Sequence, residues 1–249
     1  MRKAILLATV VLLATGLAAQ ESIPAGTILP VQLKTTIDSR KARSRQAISA
    51  RVMQNVPLPG GSKIRAGAQV QGWVGEVHTD GQGNTSVAFR FNTLEAGKRR
   101  ISISTNLRAM ATMMAVEAAQ LPASGPDRGT SDFYWVTEQI GGETVYHGGG
   151  PVTHGSSVVG KSVADGVLVH PSAAGKCGGE EDFDDRPQAF WVFASNACGL
   201  YDFPDLKLMH TGRSEPRGEI TISSTGGAVK IPAGSGLLLR VLAPASPAK

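Results

Sequence analysis

The chain has 249 residues, a net charge of +5, 30 glycines and only 5% aromatic residues. That length suits one large β domain or two smaller ones, and so slight a positive balance, without aromatics between the charges, argues against nucleic acid as a partner. Beyond the N-terminal run no stretch is apolar enough to cross a membrane as a helix, which excludes a helical membrane protein.

Residues 1–19 carry Arg2 and Lys3, then "AILLATVVLLATG", then small residues. A basic start, a short apolar run and a small-residue site around Ala18 or Ala19 are the parts of a secretory signal. With no cysteine nearby, a lipid anchor is not expected. The processed protein is therefore expected in the periplasm or secreted, with no transmembrane span.

From residue 20 to 106 the pattern is strand after strand. In "TILPVQLKTTI" the residues Leu29, Val31 and Leu33 alternate with Ile28, Pro30 and Gln32; in "AISARV" the apolar positions are Ile48, Ala50 and Val52. Val87, Phe89 and Phe91 repeat the period in "TSVAFRF", as do Ile101 and Ile103 in "RRISIS". A period of two indicates half-buried antiparallel strands. "TDGQGN" and "EAGK" between them are glycine-bearing hairpin loops. The basic run Arg40, Lys41, Arg43 and Arg45 reads as a solvated loop. Residues 107–132 change texture: "LRAMATMMAVEAAQL" is rich in Ala and Met and stops before Pro122, which predicts a helix over 107–121 followed by a loop. Met110, Met113, Met114 and Ala118 would share one face of it.

Residues 133–249 are β-rich and glycine-rich, and either complete the same sheet or form a second small domain. "QAFWVFAS" (188–195) predicts a buried strand. The two cysteines, Cys177 and Cys198, are expected to pair in an oxidising compartment. Such a bridge stabilises by roughly 3 kcal/mol in the chain-entropy account. The fold class expected is mainly β: an antiparallel β-barrel or sandwich with one short helix near 107–121.

Several stretches look chemical. "GSSVVGKS" (155–162) matches a phosphate-binding loop, which requires a preceding buried strand and a following helix; its neighbours supply neither. "HGGG" (147–150) is the kind of loop that supplies oxyanion-hole amides, but no serine has glycine at both flanking second positions, as a nucleophile elbow requires. His147, His154, His170 and His210 lack the spacing of a compact zinc site. The run Glu180, Glu181, Asp182, Asp184 and Asp185 lacks the spacing of a calcium loop and reads as an acidic turn. No catalytic set, metal or cofactor is expected.

One turn recurs: "IPAGT" (23–27), "IRAGA" (64–68) and "IPAGS" (231–235), each opening a strand-like run. "IPAGTILPVQLKTTIDS", then "GSKIRAGAQVQGWVGEV", a glycine turn and "VAFRFNTLEAGKRRISIS" together resemble the β-barrel region of TrbI-like proteins, envelope scaffold subunits of conjugation and type IV secretion machines. Ile64, Ala66, Gly67, Val70 and Gly72 match that family's second turn, with Arg65 in place of a proline and one residue more before the glycine. The resemblance covers residues 23–105 and implies a barrel and scaffold work; the family's long pore-forming helical insertion has only the short 107–121 segment in its place. The remainder is similar to uncharacterised exported bacterial proteins. If the first and last turns flank one another, the terminal strands pair and close a sheet.

These observations point to an exported, non-enzymatic β-barrel protein that acts as an envelope structural or interaction module. Its partner would be an envelope protein. A small-ligand or cell-wall glycan module is the alternative, with Tyr134, Trp135, His147 and Trp191 as its contacts, against core packing as the plain account of Trp191. A hydrolase is the third reading.

Overall fold

The computed structural model describes residues 22–123, 135–172 and 186–244; residues 1–19, expected to be a signal, Tyr134, Cys177 and the acidic run lie outside them. The fold is mainly β, with a large, nearly closed barrel-like sheet, a second antiparallel sheet packed on it and one helix. The first half supplies β1 (Ile28–Leu33), β2 (Ile37–Asp38), β3 (Ala47–Val52), β4 (Val56–Pro57), β5 (Lys63–Ile64), β6 (Gln69–Thr79), β7 (Thr85–Ala96), β8 (Arg99–Ser102) and β9 (Thr105–Ala111). Helix α1 (Met113–Gln120) follows. Next come β10 (Val136–Glu138), β11 (Thr144–Tyr146), β12 (Pro151–His154), β13 (Ser157–Val163), β14 (Gly166–Val169) and β15 (Gln188–Ala189), which form the second sheet in chain order. The chain then returns to the first sheet with β16 (Gly199–Tyr201), β17 (Leu206–His210), β18 (Ile220–Ser224) and β20 (Gly236–Val241); β19 (Lys230–Ile231) pairs with β2.

The wall closes because β8 and β9 act as one long stave. Its first half pairs with β7 and its second half with β20. The remaining contacts run β20–β1–β3–β6–β7, which returns to the start. Strands β18 and β17 extend outward from the other half of β7. Inside lie Leu29, Val31, Leu33, Ile48, Val52, Val70, Phe89, Phe91, Leu107, Leu237 and Leu239, all essentially buried. Leu29, Val31, Leu33, Ile48, Val52, Phe89 and Phe91 are among the alternating residues expected from the period of two; Leu107, from the segment expected to be helical, joins them.

The recurring turn closes the ends of the barrel ladder, each time in the same way. In each copy a backbone N–H donates back to a carbonyl three residues earlier: Thr27 to Pro24 at 3.3 Å, Ala68 to Arg65 at 3.2 Å, Ser235 to Pro232 at 3.2 Å. The glycine at the third position has φ of +85° (Gly26), +91° (Gly67) and +95° (Gly234), as a type II turn demands. Each glycine then donates to the end of a neighbouring strand, and the next residue accepts from it. Gly26 and Thr27 serve Val241, Gly67 and Ala68 serve Val52, and Gly234 and Ser235 serve Leu33. The first and last copies thereby bracket the β1–β20 pair from opposite ends, with Ile28 opposite Arg240 and Gln32 opposite Gly236. The terminal strands do flank one another and seal the wall. Substituting Gly67→Ala isolates the turn's backbone requirement, because no atom lies within 4 Å of the added methyl. The expected loss is about 1–2 kcal/mol, the cost of a left-handed L-residue, read from urea unfolding.

Two predicted elements differ. The helix is shorter than 107–121: residues 105–111 form β9, and only Met113–Gln120 are helical. Thr112 caps it, its hydroxyl accepting from the Ala115 N–H at 3.2 Å, and Leu121 ends it before Pro122. β9 is buried on both faces, and such a strand shows no polar alternation to distinguish it from helix. Met110 is therefore in the barrel core, while Met113 and Met114 are exposed on α1; the four expected residues share no face. The "QAFWVFAS" segment is buried, but only Gln188–Ala189 are strand. The chain then turns at Trp191, whose φ is +51°. This turn drives Phe190 and Phe193 into the space between the two layers, which a continued strand would not fill.

That second core joins Ile28, Leu238, Ala109 and Ala111, on the outer faces of β1, β20 and β9, to Val116 of α1 and to Val145, Val152, Val167 and Val169. Polar side chains cross the same interface. β3 pairs with β1 only from Val31 onward, so the Ile28 N–H has no strand partner there; Gln188 Oε1 accepts it at 2.7 Å. Gln54, wholly buried, accepts from the N–H groups of Val167 (3.2 Å) and Trp191 (2.8 Å) and donates to the Val167 carbonyl.

Candidate functional site

One end strand of the second sheet is β10, which lies beside α1. The chain leaving the helix touches it where Ala123 N–H donates to the Val136 carbonyl at 2.7 Å. The hairpin β10–β11 pairs Thr137 with Val145 and Val136 with Tyr146. Val145 is buried against the barrel, so its ladder partner Thr137 and the flanking Trp135 and His147 lie on the barrel-facing side. Tyr146 points the other way.

Trp135 and His147 stack, with ring centroids 4.1 Å apart and planes 23° from parallel. The His147 N–H also donates to the Trp135 carbonyl at 3.0 Å. Its ring Nε2 is 2.8 Å from the hydroxyl of Thr137. Burial beneath the indole lowers the His147 pKa, since the imidazolium loses hydration there. The ring is neutral at pH 7, a flat polar edge under an aromatic plate. A folded-state pKa below the unfolded one means that the unfolded chain binds the proton more readily. Stability is therefore full above the ordinary histidine range and falls as pH drops through it toward 5. Urea melts of His147→Gln should show a flatter pH profile between 7 and 5 than the parent. Asp38 and Asp80 act lower. Their carboxylates are held below the usual range by hydrogen bonds from Arg40 and from Asn84 respectively, so their contribution disappears only near and below pH 4.

Met113 and Met114 of α1, Leu121 just after it and Trp135 just before β10 leave large apolar surface in solvent; Met114 and Leu121 are about two-thirds exposed. The structure thus brings together Trp135 and His147. Trp191 is elsewhere: it packs on the second core, its N–H bonded to Gln54 and its carbonyl accepting from Gln139 at 3.0 Å. Tyr134 lies outside the described residues. So does Cys177; Cys198 sits just before β16, its N–H donating to the Tyr201 hydroxyl at 3.1 Å.

The chemical-looking motifs have structural settings. "GSSVVGKS" is a hairpin turn and strand β13, which pairs with β12 and β14, with no helix after it. "HGGG" is the turn between β11 and β12; Gly148 and Gly149 take φ of +79° and +93°, and the Gly149 N–H donates to Ser162 Oγ at 3.0 Å. His210 bonds the carbonyls of Glu219 and Glu215 at 2.6 and 3.2 Å. Among the described residues no cluster of three or more His, Cys, Asp or Glu is placed to hold a metal ion, and no helix is long and apolar enough to cross a membrane.

The sequence reading passed over the largest fully buried side chain, Arg108. Its guanidinium donates to the carbonyls of Ala197 (3.1 Å), Ser172 (2.9 Å) and Ser195 (2.8 Å) and lies over the Phe190 ring. Buried Glu143 takes Ser195 from the other side, through its N–H at 2.9 Å and its hydroxyl. A charged residue inside the apolar run "NLRAMA" was the available signal. No family model, no curated protein and no solved structure matches the chain.

Proposed function

We propose that the protein is an exported, non-enzymatic interaction module of the bacterial envelope, and that α1 with the β10 edge is its contact surface for a partner protein. The observation that carries this reading is the exposure of Met113, Met114, Leu121 and Trp135 on or beside two neighbouring elements. Apolar side chains left together in water favour an interaction role, and Met and Trp are enriched in interfaces because they bury much area and adapt to varied shapes. The signal-like residues 1–19 support export, and the resemblance of residues 23–105 to TrbI-like barrels supports an envelope scaffold. The test is quantitative cross-linking in envelope preparations, comparing the parent with Met114→Lys/Leu121→Lys. Both sites are exposed, so stability should stay within about 0.5 kcal/mol. Loss of a cross-linked envelope protein at unchanged stability is expected; an undiminished yield would overturn the proposal.

The alternative, a glycan-binding module, is favoured by one feature: the Trp135 indole, half exposed and backed by a neutral imidazole with a hydroxyl beside it. Sugars offer an apolar face and hydroxyls to such a surface. A saturable melting-temperature rise with soluble cell-wall fragments, absent in Trp135→Ala, would favour this reading over the first.

A further inference from the structure

Beside the first of the repeated turns, away from the α1–β10 surface, is a cavity of about 200 Å³. Ala25 and Gly26 form one side, Val241 to Ala243 another, and three arginines supply its polar side chains: Arg213, Arg217 and Arg240. No carboxylate is among the described residues lining it. We propose that this cavity binds a small oxyanion, a phosphoryl or carboxylate group, held by the guanidinium groups of Arg213, Arg217 and Arg240.

Arg240 is the anchor. It lies on β20 with 7% of its surface exposed, an unusual position for a side chain that cannot shed its charge. Arg213 and Arg217 come from the loop between β17 and β18. The Arg217 guanidinium donates to the Ala243 carbonyl at 3.4 Å, which draws it toward the opposite wall. Glu215, between them in sequence, accepts from the Arg217 backbone N–H at 3.2 Å and is not part of the lining. Arg213 and Arg240 have other polar contacts as well, so what marks the cavity is the convergence of like charge. Three guanidinium groups repel one another, and an oxyanion among them reverses the sign of that interaction while matching their planar forks.

A second, independent feature lies next to Arg240. Asn106 is its direct partner in the β9–β20 ladder, so the two side chains leave the sheet on one face. Asn106 is completely buried, yet neither its amide nitrogen nor its amide oxygen has a hydrogen-bond partner. Buried polar atoms in native proteins are satisfied in the large majority of cases, so this exception beside Arg240, just behind the cavity lining, calls for an ion or water there. The cavity has the volume of about six or seven water molecules, enough for an oxyanion with its bridging waters.

Calorimetric titration at low ionic strength with inorganic phosphate, and separately with acetate, tests the proposal. Saturable binding of either ion by the parent protein is expected, weakened at least tenfold in Arg213→Gln/Arg217→Gln. Those two residues sit toward the cavity mouth, and a melting curve of the unliganded variant matching the parent shows that the fold is intact. Tighter phosphate binding assigns the site to phosphoryl groups, and tighter acetate binding to carboxylates. Absence of saturable binding by both ions, or equal binding by the double variant, would overturn it.

Discussion

Replacing Arg108 by methionine should cost about 3–5 kcal/mol, the largest loss expected from any single side chain joining the two layers. Methionine reproduces much of the aliphatic stem, so the packing against Phe190 is largely retained. What it cannot supply is donors for the carbonyls of Ala197, Ser172 and Ser195. An apolar replacement of a buried charge is often tolerated when its partners are removed too; here the partners are backbone atoms and stay behind. Each orphaned buried acceptor costs about 1–3 kcal/mol, and the relief of desolvating one guanidinium offsets only part of that sum. The Ser195 carbonyl keeps one donor, the Ser172 N–H at 3.0 Å, so the loss falls mainly on the carbonyls of Ala197 and Ser172. Equilibrium urea unfolding should show a lowered midpoint with an unchanged slope. Arg108→Lys, which keeps the charge without the fork, should fall between the two. A methionine variant within about 1 kcal/mol of the parent would show that the clamp is incidental.

Gly72→Ala should be comparably damaging, for a different reason. A Cβ at this position would stand 1.7 Å from the Arg90 carbonyl oxygen, 2.7 Å from its carbon and 2.9 Å from Phe91 Cα. All three atoms are backbone, so no rotamer change relieves the clash; β6 and β7 must separate. Gly72 sits at a register shift in that pair, where the barrel wall bends. The separation would also displace Phe89 and Phe91, which meet edge to face with centroids 6.1 Å apart in the core. The expected loss exceeds about 3 kcal/mol, the upper end for overpacking, and should appear as a lower melting temperature. It should also exceed the loss in Gly67→Ala, where only backbone conformation is at stake. A Gly72→Ala protein as stable as Gly67→Ala would mean that the wall is far more compliant than the register suggests.

The strands of the first half could be read residue by residue. Val87, Phe89 and Phe91, or Ile48, Ala50 and Val52, alternate with polar neighbours because one face of their strand meets the core and the other meets water. The turn glycines were legible for an equally local reason: Gly26, Gly67 and Gly234 all need positive φ, and no other residue adopts it as cheaply. β9 was misread because both of its faces are covered, by the barrel core and by the second layer. Without polar alternation, the local preference of Ala and Met for helix is the only signal left. The 188–195 segment failed for a related reason. Its aromatic and β-branched residues do favour strand, but Phe190 and Phe193 are needed as fillers between layers, and a tight turn puts both there.

The candidate surface was half legible. Trp135 and His147 were singled out and do stack; Trp191, chosen for the same aromatic character, serves the second core. Composition cannot separate these cases, because a tryptophan is as useful in a core as on a binding face. The three arginines of the cavity, at positions 213, 217 and 240, could not be assembled from sequence at all, since the β17–β18 loop reaches Arg240 by bonding to β9, the ladder neighbour of β20.

By itself, then, the sequence determined the strand periods, the end of the helix at Pro122 and a turn repeated three times, all of which depend on interactions between residues a few positions apart. Only the tertiary structure decided that the terminal strands close the wall, that β9 is strand and not helix, and that Arg108, Gln54 and Asn106 are buried. Those outcomes depend on what a segment packs against, and residues such as Ile28 and Gln188 or Arg108 and Ser195 meet only after the second sheet has folded back onto the barrel.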